Sequence, residues 1–284
     1  MSSCVTIQAF KECCDHIFDR NSDFPIDAVQ YGETIFVSDG DIDMEEFFLR
    51  VHPFIPPHII ITALGDTPIP GRFRSHLECP KLLGWFTLNT DTIHPKLHPI
   101  PLGIYASSEE YGDKAVFERV ISQRIEKDSL LYMNFSVHYH PDRKLVFNKF
   151  KNVDYCTSAY RSYWANFVEH KGLPLETYLH DLSRHKFVLS PPGNGLNCFR
   201  TWEGLLMKCY PIVKTSPLDP LYVDLPVVVV LDWNSITREF LEEKYREFSG
   251  KEFKLEKLFM PYWIEQMKLL KFQSSPLSMC HCGI

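Results

Sequence analysis

Residues 187–214 read FVLSPPGNGLNCFRTWEGLLMKCYPIVK, and the order of residue types in this stretch decides the fold. An apolar strand at 187–189 ends at Ser190. The Pro-Pro-Gly-Asn-Gly sequence that follows predicts a turn, because neither a helix nor a strand continues through it. A helix is predicted from about Asn197, and a second apolar strand at 210–213. Strands that alternate with helices indicate a parallel sheet, so we predict the α/β fold class.

The turn and the start of the predicted helix are suited to a phosphorylated ligand. A helix N-terminus presents free N–H groups and the positive end of the helix dipole. Arg200 adds a full charge and a planar fork of donors, and Glu203 lies about one turn later on the same helix face. A carboxylate beside a phosphate site suits ribose hydroxyls. The alternative is an ordinary strand-turn-helix with a surface arginine and glutamate.

These residues resemble the nucleotide-sugar motif of exostosin-like glycosyltransferases, S-P-P-G-N-G-x-D-C-x-R-T-W-E-A-L followed by G-x-x-P-I-V. The chain departs from it at Asn197, where the family often has Asp, and at Lys208, where it often has Gly. Residues 33–70 look like the family's strand, short helix and strand that ends in a loop with Asp. Residues 85–103, WFTLNTDTIHPKLHPIPLG, are similar to its W-F-x-x-N-x-D-x-x-H-P-K-L-x-x-I-P-I-G. The resemblance spans residues 33–240.

The resemblance implies a GT-B fold, in which two Rossmann-like domains face each other across a cleft, and an inverting glycosyltransferase activity. The implied donor is a UDP-sugar, for which we favour UDP-xylose, and the acceptor is a hydroxyl of a glycan or glycoprotein. No metal ion or other cofactor is expected. A short member without an anchor is similar to xylosyltransferases encoded by some large DNA viruses. Two alternatives stay open: a fucosyltransferase-like GT-B enzyme that uses GDP-fucose, and a catalytically silent module that binds a sugar nucleotide or glycan.

The resemblance also assigns site residues. Arg143 resembles a family arginine that reaches the diphosphate, although an exposed arginine is an equal alternative, and Lys214 is a weaker candidate of the same kind. Trp85 and His94 are expected to line the acceptor pocket, with a capped turn as the alternative for His94. The expected donor-binding residues are Arg143, Ser190, Gly193, Asn194, Gly195, Asn197, Arg200, Glu203 and Lys214.

The catalytic base is expected in the first half of the chain. Asp66 follows a predicted buried strand, and an inverting transfer needs a base to deprotonate the acceptor hydroxyl. The alternative is that Asp66 only stabilises the bend at Gly65. Asp91 is the second choice for the base.

One acidic segment has the spacing of a metal site. Residues 39–43, DGDID, contain D-x-D, by which GT-A transferases hold a divalent ion on the donor phosphates. We predict no metal here, because these aspartates directly precede a predicted helix, where Asp is a good N-cap and first-turn residue. Cys13-Cys14 and the Cys280-His281-Cys282 tail are weak metal signals, for which plain thiols are the alternative.

Two units of alternating strands and helices divide the chain. We predict an N-terminal, acceptor-binding Rossmann-like domain over residues 1–127 and a nucleotide-sugar-binding one over residues 128–260, because polar residues 107–127 lead into a new apolar strand. Residues 261–284 are predicted to be a helix and tail that pack back on the N-terminal domain.

Composition limits the partners. The 284 residues are 45% hydrophobic and carry a net charge of −6 without a Lys/Arg-rich run, which argues against a nucleic-acid polymer as partner. The nine cysteines form no C-x-x-C pair, and with no signal peptide at the N-terminus they predict reduced thiols and a cytoplasmic location. The apolar runs are shorter than the roughly 20 residues that span a bilayer, so no membrane insertion is expected.

Overall fold

The computed structural model describes residues 4–21, 23–105, 113–159 and 173–273. They form two compact units, which we call the first and the second unit. The first unit contains residues 4–102 and 259–273, and the second contains residues 103–258.

The first unit is built on a five-stranded sheet of order β1-β2-β3-β4-β5, in which every neighbouring pair is parallel. Its strands are β1 His16–Phe18, β2 Thr34–Val37, β3 His58–Thr62, β4 Leu82–Thr87 and β5 Leu97–Pro99. Its helices are α1 Ile7–Glu12 and α2 Asp41–Arg50, with the C-terminal helix Met260–Gln273, named α9 below, and 3-10 turns at Ile26–Ala28 and Gly71–Glu78.

The two central strands of this sheet are apolar along their whole length. Every residue of β2 (TIFV) and β3 (HIIIT) is buried. Continuous β-branched runs are typical of parallel strands covered on both faces. The register pairs Val37 with Thr62, and Thr62 with Thr87, so β2, β3 and β4 end side by side at one edge of the sheet.

The second unit has a five-stranded parallel sheet of order β10-β9-β8-β6-β7. Its strands are β6 Ser129–Met133, β7 Cys156–Ser158, β8 His185–Leu189, β9 Tyr210–Lys214 and β10 Val228–Val230. Its helices are α3 Lys114–Ser122, α4 Pro141–Phe150, α5 Leu175–Arg184, α6 Phe199–Leu206, α7 Asp219–Tyr222 and α8 Arg238–Ser249, with 3-10 turns at Trp233–Ser235 and Glu256–Leu258.

A half-buried ammonium group, that of Lys127, contacts several elements of the second unit. Nζ of Lys127 donates to the backbone oxygens of Ser183, His185 and Met207, at 2.9, 2.8 and 3.3 Å. These carbonyls belong to the end of α5, the start of β8 and the end of α6, where the negative end of each helix dipole favours a cation. Burial lowers the pKa of the Lys127 ammonium.

The predicted α/β class with two Rossmann-like, parallel-sheet domains is confirmed. The motif helix begins at Phe199 rather than at Asn197, because Cys198 still has extended backbone angles, φ −123° and ψ 137°. The short elements α1, β1 and β5 were not predicted.

The compact second unit begins at Gly103, whereas the sequence places the domain boundary after residue 127. Helix α3, which lies between these points, packs against α5, and Arg119 forms an ion pair with Glu176 at 3.0 Å. Helix α9 belongs to the first unit. Within the described ranges, no helix has the length and apolar character needed to cross a membrane.

Candidate functional site

The loop 190–198 of the motif leaves the carboxyl end of β8 and is closed by its own hydrogen bonds. The Ser190 amide donates to the oxygen of Ile212 on β9 at 2.9 Å, and the Gly193 amide donates to the oxygen of Gly195 at 2.9 Å. The hydroxyls of Ser190 and Thr201 are hydrogen-bonded at 2.8 Å. The loop is therefore held at both the sheet and the motif helix α6.

Gly193 allows the loop to approach an arginine closely. A Cβ atom at this position would lie 2.8 Å from Nη2 of Arg143, which is closer than Cβ atoms approach non-bonded atoms in folded proteins. Gly195 is buried and Asn194 is exposed. A side chain at position 193 would displace either the loop or the guanidinium group.

Arg143 projects from α4 and is not the exposed arginine of the alternative interpretation. It is 8% exposed. Its Nε donates to the oxygen of Pro192 at 2.7 Å, its Nη1 to the oxygen of Ser136 at 3.1 Å, and its Nη2 lies 3.8 Å from Sγ of Cys198. These contacts fix the guanidinium plane against the motif loop.

Arg200 lies on the first turn of α6 and is 9% exposed. Its Nε donates to the backbone oxygen of Asn134 at 2.6 Å, while its buried Nη1 has no hydrogen-bond partner among the described residues. The guanidinium groups of Arg200 and Arg143 lie 5.3 and 5.9 Å from the centre of the Phe135 ring. The two arginines thus share one aromatic neighbour.

The electrostatic character of this site is positive. Among the described residues, no carboxylate lies within ion-pair distance of Arg143 or Arg200. Burial and then the charge of Arg200 lower the pKa of Arg143. A buried cation without a counter-charge is costly, and bringing an anion to it removes that cost. The arrangement is therefore suited to bind an anion with oxygen acceptors, such as a phosphate group.

Glu203 lies one turn after Arg200 and is fully buried, with 0% exposure. Its Oε2 accepts a hydrogen bond from the hydroxyl of Tyr178 on α5 at 2.8 Å. The prediction that Arg200 and Glu203 share a helix face agrees with the burial of both side chains, but the carboxylate is held inside the unit and not at its surface.

Asn197 and Lys214 have protein partners of their own. Oδ1 of Asn197 accepts a hydrogen bond from Nε1 of Trp202 at 2.7 Å, so this oxygen orients the indole. Nζ of Lys214, at the end of β9, lies 3.4 Å from Oδ2 of Asp142. Lys214 is exposed at the carboxyl end of β9, and its charge is paired with Asp142.

Asn134 is a further candidate site residue, which lies outside the sequence motifs. It is buried and directly follows β6. Its backbone oxygen accepts a hydrogen bond from Nε of Arg200, and its Nδ2 donates to the hydroxyl of Tyr132 at 2.9 Å. Its buried Oδ1 has no partner among the described residues. A polar residue at the carboxyl end of an apolar strand was the available signal, since ligands of parallel sheets bind at this edge.

In the first unit, two carboxyl groups lie where β2 and β3 end. Asp39 is 3% exposed, and its Oδ2 accepts a hydrogen bond from the Gly65 amide at 2.8 Å. Burial raises the pKa of Asp39, the amides of Gly65 and Leu64 oppose this shift, and the charge of Asp66 adds to it. Asp66 itself is exposed, so its carboxylate is open to a ligand.

The role predicted for Asp39 at the helix start needs correction. The N-cap of α2 is Gly40, and the carboxylate of Asp39 instead holds the loop after β3. The side chain of Asp41, the other half of the D-x-D spacing, and the Cys280-His281-Cys282 tail lie outside the description. Where side chains are described, no group of three or more His, Cys, Asp or Glu residues could hold a metal ion.

Asp91 has two partners in the described structure. Its Oδ2 accepts a hydrogen bond from the Gly71 amide at 3.1 Å, and its Oδ1 lies 3.4 Å from Nη2 of Arg74. Both of its carboxylate oxygens are thus engaged by neighbouring groups of the protein. Asp91 therefore stays the second choice.

The two predicted acceptor residues are placed differently from each other. Trp85 is a core residue with 0% exposure, and its Nε1 donates to Oγ1 of Thr62 at 3.0 Å, so its indole offers no surface to an acceptor. Nδ1 of His94 accepts from the Lys96 amide at 3.2 Å, and its Nε2 lies 3.4 Å from Oε1 of Glu78. These contacts make His94 a capped turn residue that is still partly exposed.

The chain matches no protein-family model and no curated protein sequence. Solved structures do match it. An α1,3-fucosyltransferase solved with GDP-fucose is 12% identical and has a TM-score of 0.44, over 94% of this chain and 96% of its own. The UDP-forming α,α-trehalose-phosphate synthase from Burkholderia vietnamiensis is 9% identical, with a TM-score of 0.43, over 86% of this chain and 71% of its own. A glycosyltransferase involved in avilamycin A biosynthesis is 12% identical, with a TM-score of 0.38, over 84% and 74%.

Proposed function

We propose that the protein is a GT-B glycosyltransferase that moves a sugar from a nucleoside diphosphate donor to a hydroxyl of a glycan or glycoprotein acceptor. The observation that carries this proposal is the pair of buried guanidinium groups, Arg143 and Arg200, which lack a carboxylate partner among the described residues. They adjoin the loop whose sequence resembles the exostosin-like nucleotide-sugar motif.

The donor residues have distinct roles in this proposal. The charges of Arg143 and Arg200 neutralise the leaving diphosphate, and preorganised donors aimed at developing charge are the largest single contribution in many enzymes. The amides at the start of α6 add to this field. Glu203, buried and oriented by Tyr178, is assigned to the ribose hydroxyls by the resemblance alone, and Glu203→Gln tests this assignment. Ser190, Gly193, Asn194, Gly195 and Asn197 shape the loop, and Lys214 adds a positive charge at its rim.

The acceptor hydroxyl needs a base, for which we propose Asp66. Its carboxylate is exposed at the carboxyl edge of the first unit's sheet, and the neighbouring Asp39 fixes the preceding residue, Gly65, through its 2.8 Å hydrogen bond. The deprotonated acceptor oxygen then forms a bond to the anomeric carbon on the face opposite the diphosphate, whose bond to that carbon breaks, so that the configuration inverts.

For the donor we propose UDP-xylose, which the resemblance favours and which needs no metal ion in this scheme. A donor site for GDP-fucose and a silent binding module are the alternatives. The protein is proposed to act in the cytoplasm. Each of these finer assignments has a separate outcome in the experiment that follows.

Binding is tested by thermal-shift measurements against UDP, GDP, UDP-xylose, UDP-glucuronate, UDP-galactose and GDP-fucose. A ligand that binds only the folded state stabilises it by about 2.7 kcal/mol at 100 times its Kd. We expect a shift with UDP-xylose that Arg143→Met abolishes. The matched control is Arg184→Met, which removes an exposed arginine that pairs with Asp128 at 2.7 Å.

Each result has one interpretation. A shift with GDP-fucose alone would replace the donor assignment, and a shift without sugar transfer or slow donor hydrolysis would identify a silent binding module. The absence of a shift with every nucleotide, or an equal shift in Arg143→Met, would contradict the proposed donor site.

A further inference from the structure

Two adjacent thiols lie at the end of α1, apart from the residues discussed above. Cys13 is the C-cap residue of this helix, and Cys14 follows it before β1 begins at His16. Both side chains are half-buried. Sγ of Cys13 lies 3.2 Å and Sγ of Cys14 lies 3.1 Å from the same atom, the backbone oxygen of Phe10. The two sulfurs therefore lie on one side of the helix end, although side chains of adjacent residues commonly diverge.

The surroundings make the two thiols unequal. The hydrogen bond from Cys14 lowers the pKa of Cys13, and the same hydrogen bond, together with burial, raises the pKa of Cys14. The charge of Asp15 opposes ionisation of both, whereas the Thr34 hydroxyl favours the thiolate of Cys14 to a smaller extent. Two neighbouring thiols that share one carbonyl oxygen and have unequal pKa values are suited to act as an attacking and a resolving cysteine.

The segment that carries the two thiols is anchored to the sheet. Oδ2 of Asp15 accepts from the amide and the hydroxyl of Thr34, at 2.9 and 2.8 Å, and the Asp15 amide donates to the same hydroxyl at 3.0 Å. This anchoring holds Cys14 in place relative to Cys13. The sulfurs therefore do not depend on a chance encounter of two mobile side chains.

We propose that Cys13 and Cys14 form a peroxide-reactive dithiol, in which Cys13 attacks the peroxide and Cys14 resolves the product. The Cys13 thiolate attacks one peroxide oxygen, the O–O bond breaks, and one proton is taken up, so that Cys13 sulfenic acid and water form. The Cys14 sulfur then attacks the Cys13 sulfur, an S–S bond forms, the S–O bond breaks and a second water leaves. In total two thiols lose two electrons and two protons, and one hydrogen peroxide becomes two waters.

Other described cysteines lack this combination of features. Burial raises the pKa of Cys156 and of Cys209 to about 12, which suppresses the thiolate that reacts. Cys4 and Cys198 are buried. Oxidation at low peroxide is therefore expected to select the Cys13-Cys14 pair over these four.

The sequence offers a direct experiment, because trypsin releases residues 12–20, ECCDHIFDR, which contain both thiols and no other cysteine. The full-length protein is treated with hydrogen peroxide, denatured, alkylated with N-ethylmaleimide and digested with trypsin. The masses of the peptides are then measured by mass spectrometry. We expect peptide 12–20 to carry no alkyl group and to have a mass two hydrogens below that of its dithiol form, as a disulfide requires. The peptides that contain Cys156 and Cys209 should be alkylated. A peptide alkylated at both cysteines would overturn the proposal.

Two serine variants test the unequal roles. In Cys14→Ser, a sulfenic acid is expected to accumulate at Cys13 and to be captured by dimedone. Its capture should be at least about tenfold faster than the capture of a sulfenic acid at Cys14 in Cys13→Ser. Cys79→Ser is the control and is expected to form the disulfide as wild type does. Equal capture in the two variants would overturn the assignment of attacker and resolver. If a variant does not fold, the peptide map of the wild-type protein decides alone.

Discussion

The hydroxyl of Tyr178 donates a 2.8 Å hydrogen bond to Oε2 of Glu203, and this contact links the helix before β8 to the helix after it. Tyr178 is 2% exposed and Glu203 is fully buried. A buried carboxylate is stable only where donors surround it. The position of Glu203 therefore depends on a residue that lies outside the motif.

Replacement of Tyr178 by Phe removes this donor and keeps the ring. We expect a loss of about 1–3 kcal/mol in the free energy of unfolding, because a buried acceptor loses a hydrogen-bond donor. If Glu203 binds ribose, the donor Kd also rises, as it does in Glu203→Gln. Urea denaturation and calorimetry measure the two effects. The control is Tyr245→Phe, which alters a tyrosine whose ring packs on Phe187 and which should leave the donor affinity unchanged. If Glu203→Gln also left the donor affinity unchanged, Glu203 would not belong to the donor site.

Replacement of Arg200 by Ala tests the positive site during catalysis. The variant should lose on the order of 2–4 kcal/mol of transition-state stabilisation, measured as kcat/KM for the donor, because a charged donor at the leaving phosphate is gone. Arg184→Ala serves as the exposed control. Wild-type kcat/KM in Arg200→Ala would mean that this residue has a structural role only.

Replacement of Asp66 by Asn separates a base from a turn residue. If Asp66 is the base, kcat falls by about 10²- to 10⁴-fold while donor binding persists. Asn adopts the same turn conformations as Asp, so a turn role predicts an active variant. Asp39→Asn, which keeps the shape of the buried neighbour, should retain far more activity. Should Asp66→Asn keep more than about a tenth of wild-type kcat, the same substitution at Asp91 is the next test, with the product anomer determined by NMR.

Treatment with EDTA tests the expected independence from metal ions. We expect transfer to continue in excess chelator, because two arginines and a helix N-terminus neutralise the diphosphate in the proposed mechanism. The rate before and after chelation is the measurement. Loss of turnover that Mn²⁺ or Mg²⁺ restores would favour a metal-bridged donor instead.

Two buried histidines whose rings meet edge to face predict the acid sensitivity of the first unit. Nδ1 of His52 lies 3.1 Å from Nε2 of His58, and burial lowers the pKa of His52 to about 3 and of His58 to about 4. Between these values and the unfolded pKa of about 6.5, the unfolded chain binds more protons. Stability is therefore lost as the pH falls below about 6.5, by up to about 1.4 kcal/mol per pH unit for each histidine.

Urea denaturation at pH 5, 6 and 7 measures this slope. Other groups titrate in the same range, so the informative quantity is the difference from His52→Gln, which removes one titrating group. The slope of that variant should be smaller than that of wild type. Equal slopes would show that His52 is protonated in the folded protein or does not control acid unfolding.

Strands can be predicted from the sequence where a continuous apolar run and the turn residues beside it mark them. Strands β2 and β3 lie within residues 33–70, where two strands are predicted, because each is an apolar, β-branched run between turn signals. β1 and β5, HIF and LHP, lie at the two edges of the same sheet and are three residues long, so no periodicity reveals them.

The candidate site was predictable only where it coincides with the motif. The shared helix face of Arg200 and Glu203 could be predicted, because the two residues are one helical turn apart. The hydrogen bond from Arg200 to the backbone oxygen of Asn134 could not, because it joins residues far apart in the sequence. Asp39 has the spacing of a cap or metal ligand, and its actual contact is with Gly65 on the next strand's loop. Such contacts depend on which strands pair, which local sequence does not specify.

Lys127 has a consequence for how the chain can be cut. A fragment that starts at residue 128 retains β6 to β10 but lacks the ammonium group that donates to the backbone oxygens of Ser183, His185 and Met207. It also lacks α3, whose Arg119 pairs with Glu176. Dissection of the protein for separate expression, or its cleavage by a protease, would therefore preserve these contacts only if the break falls before α3.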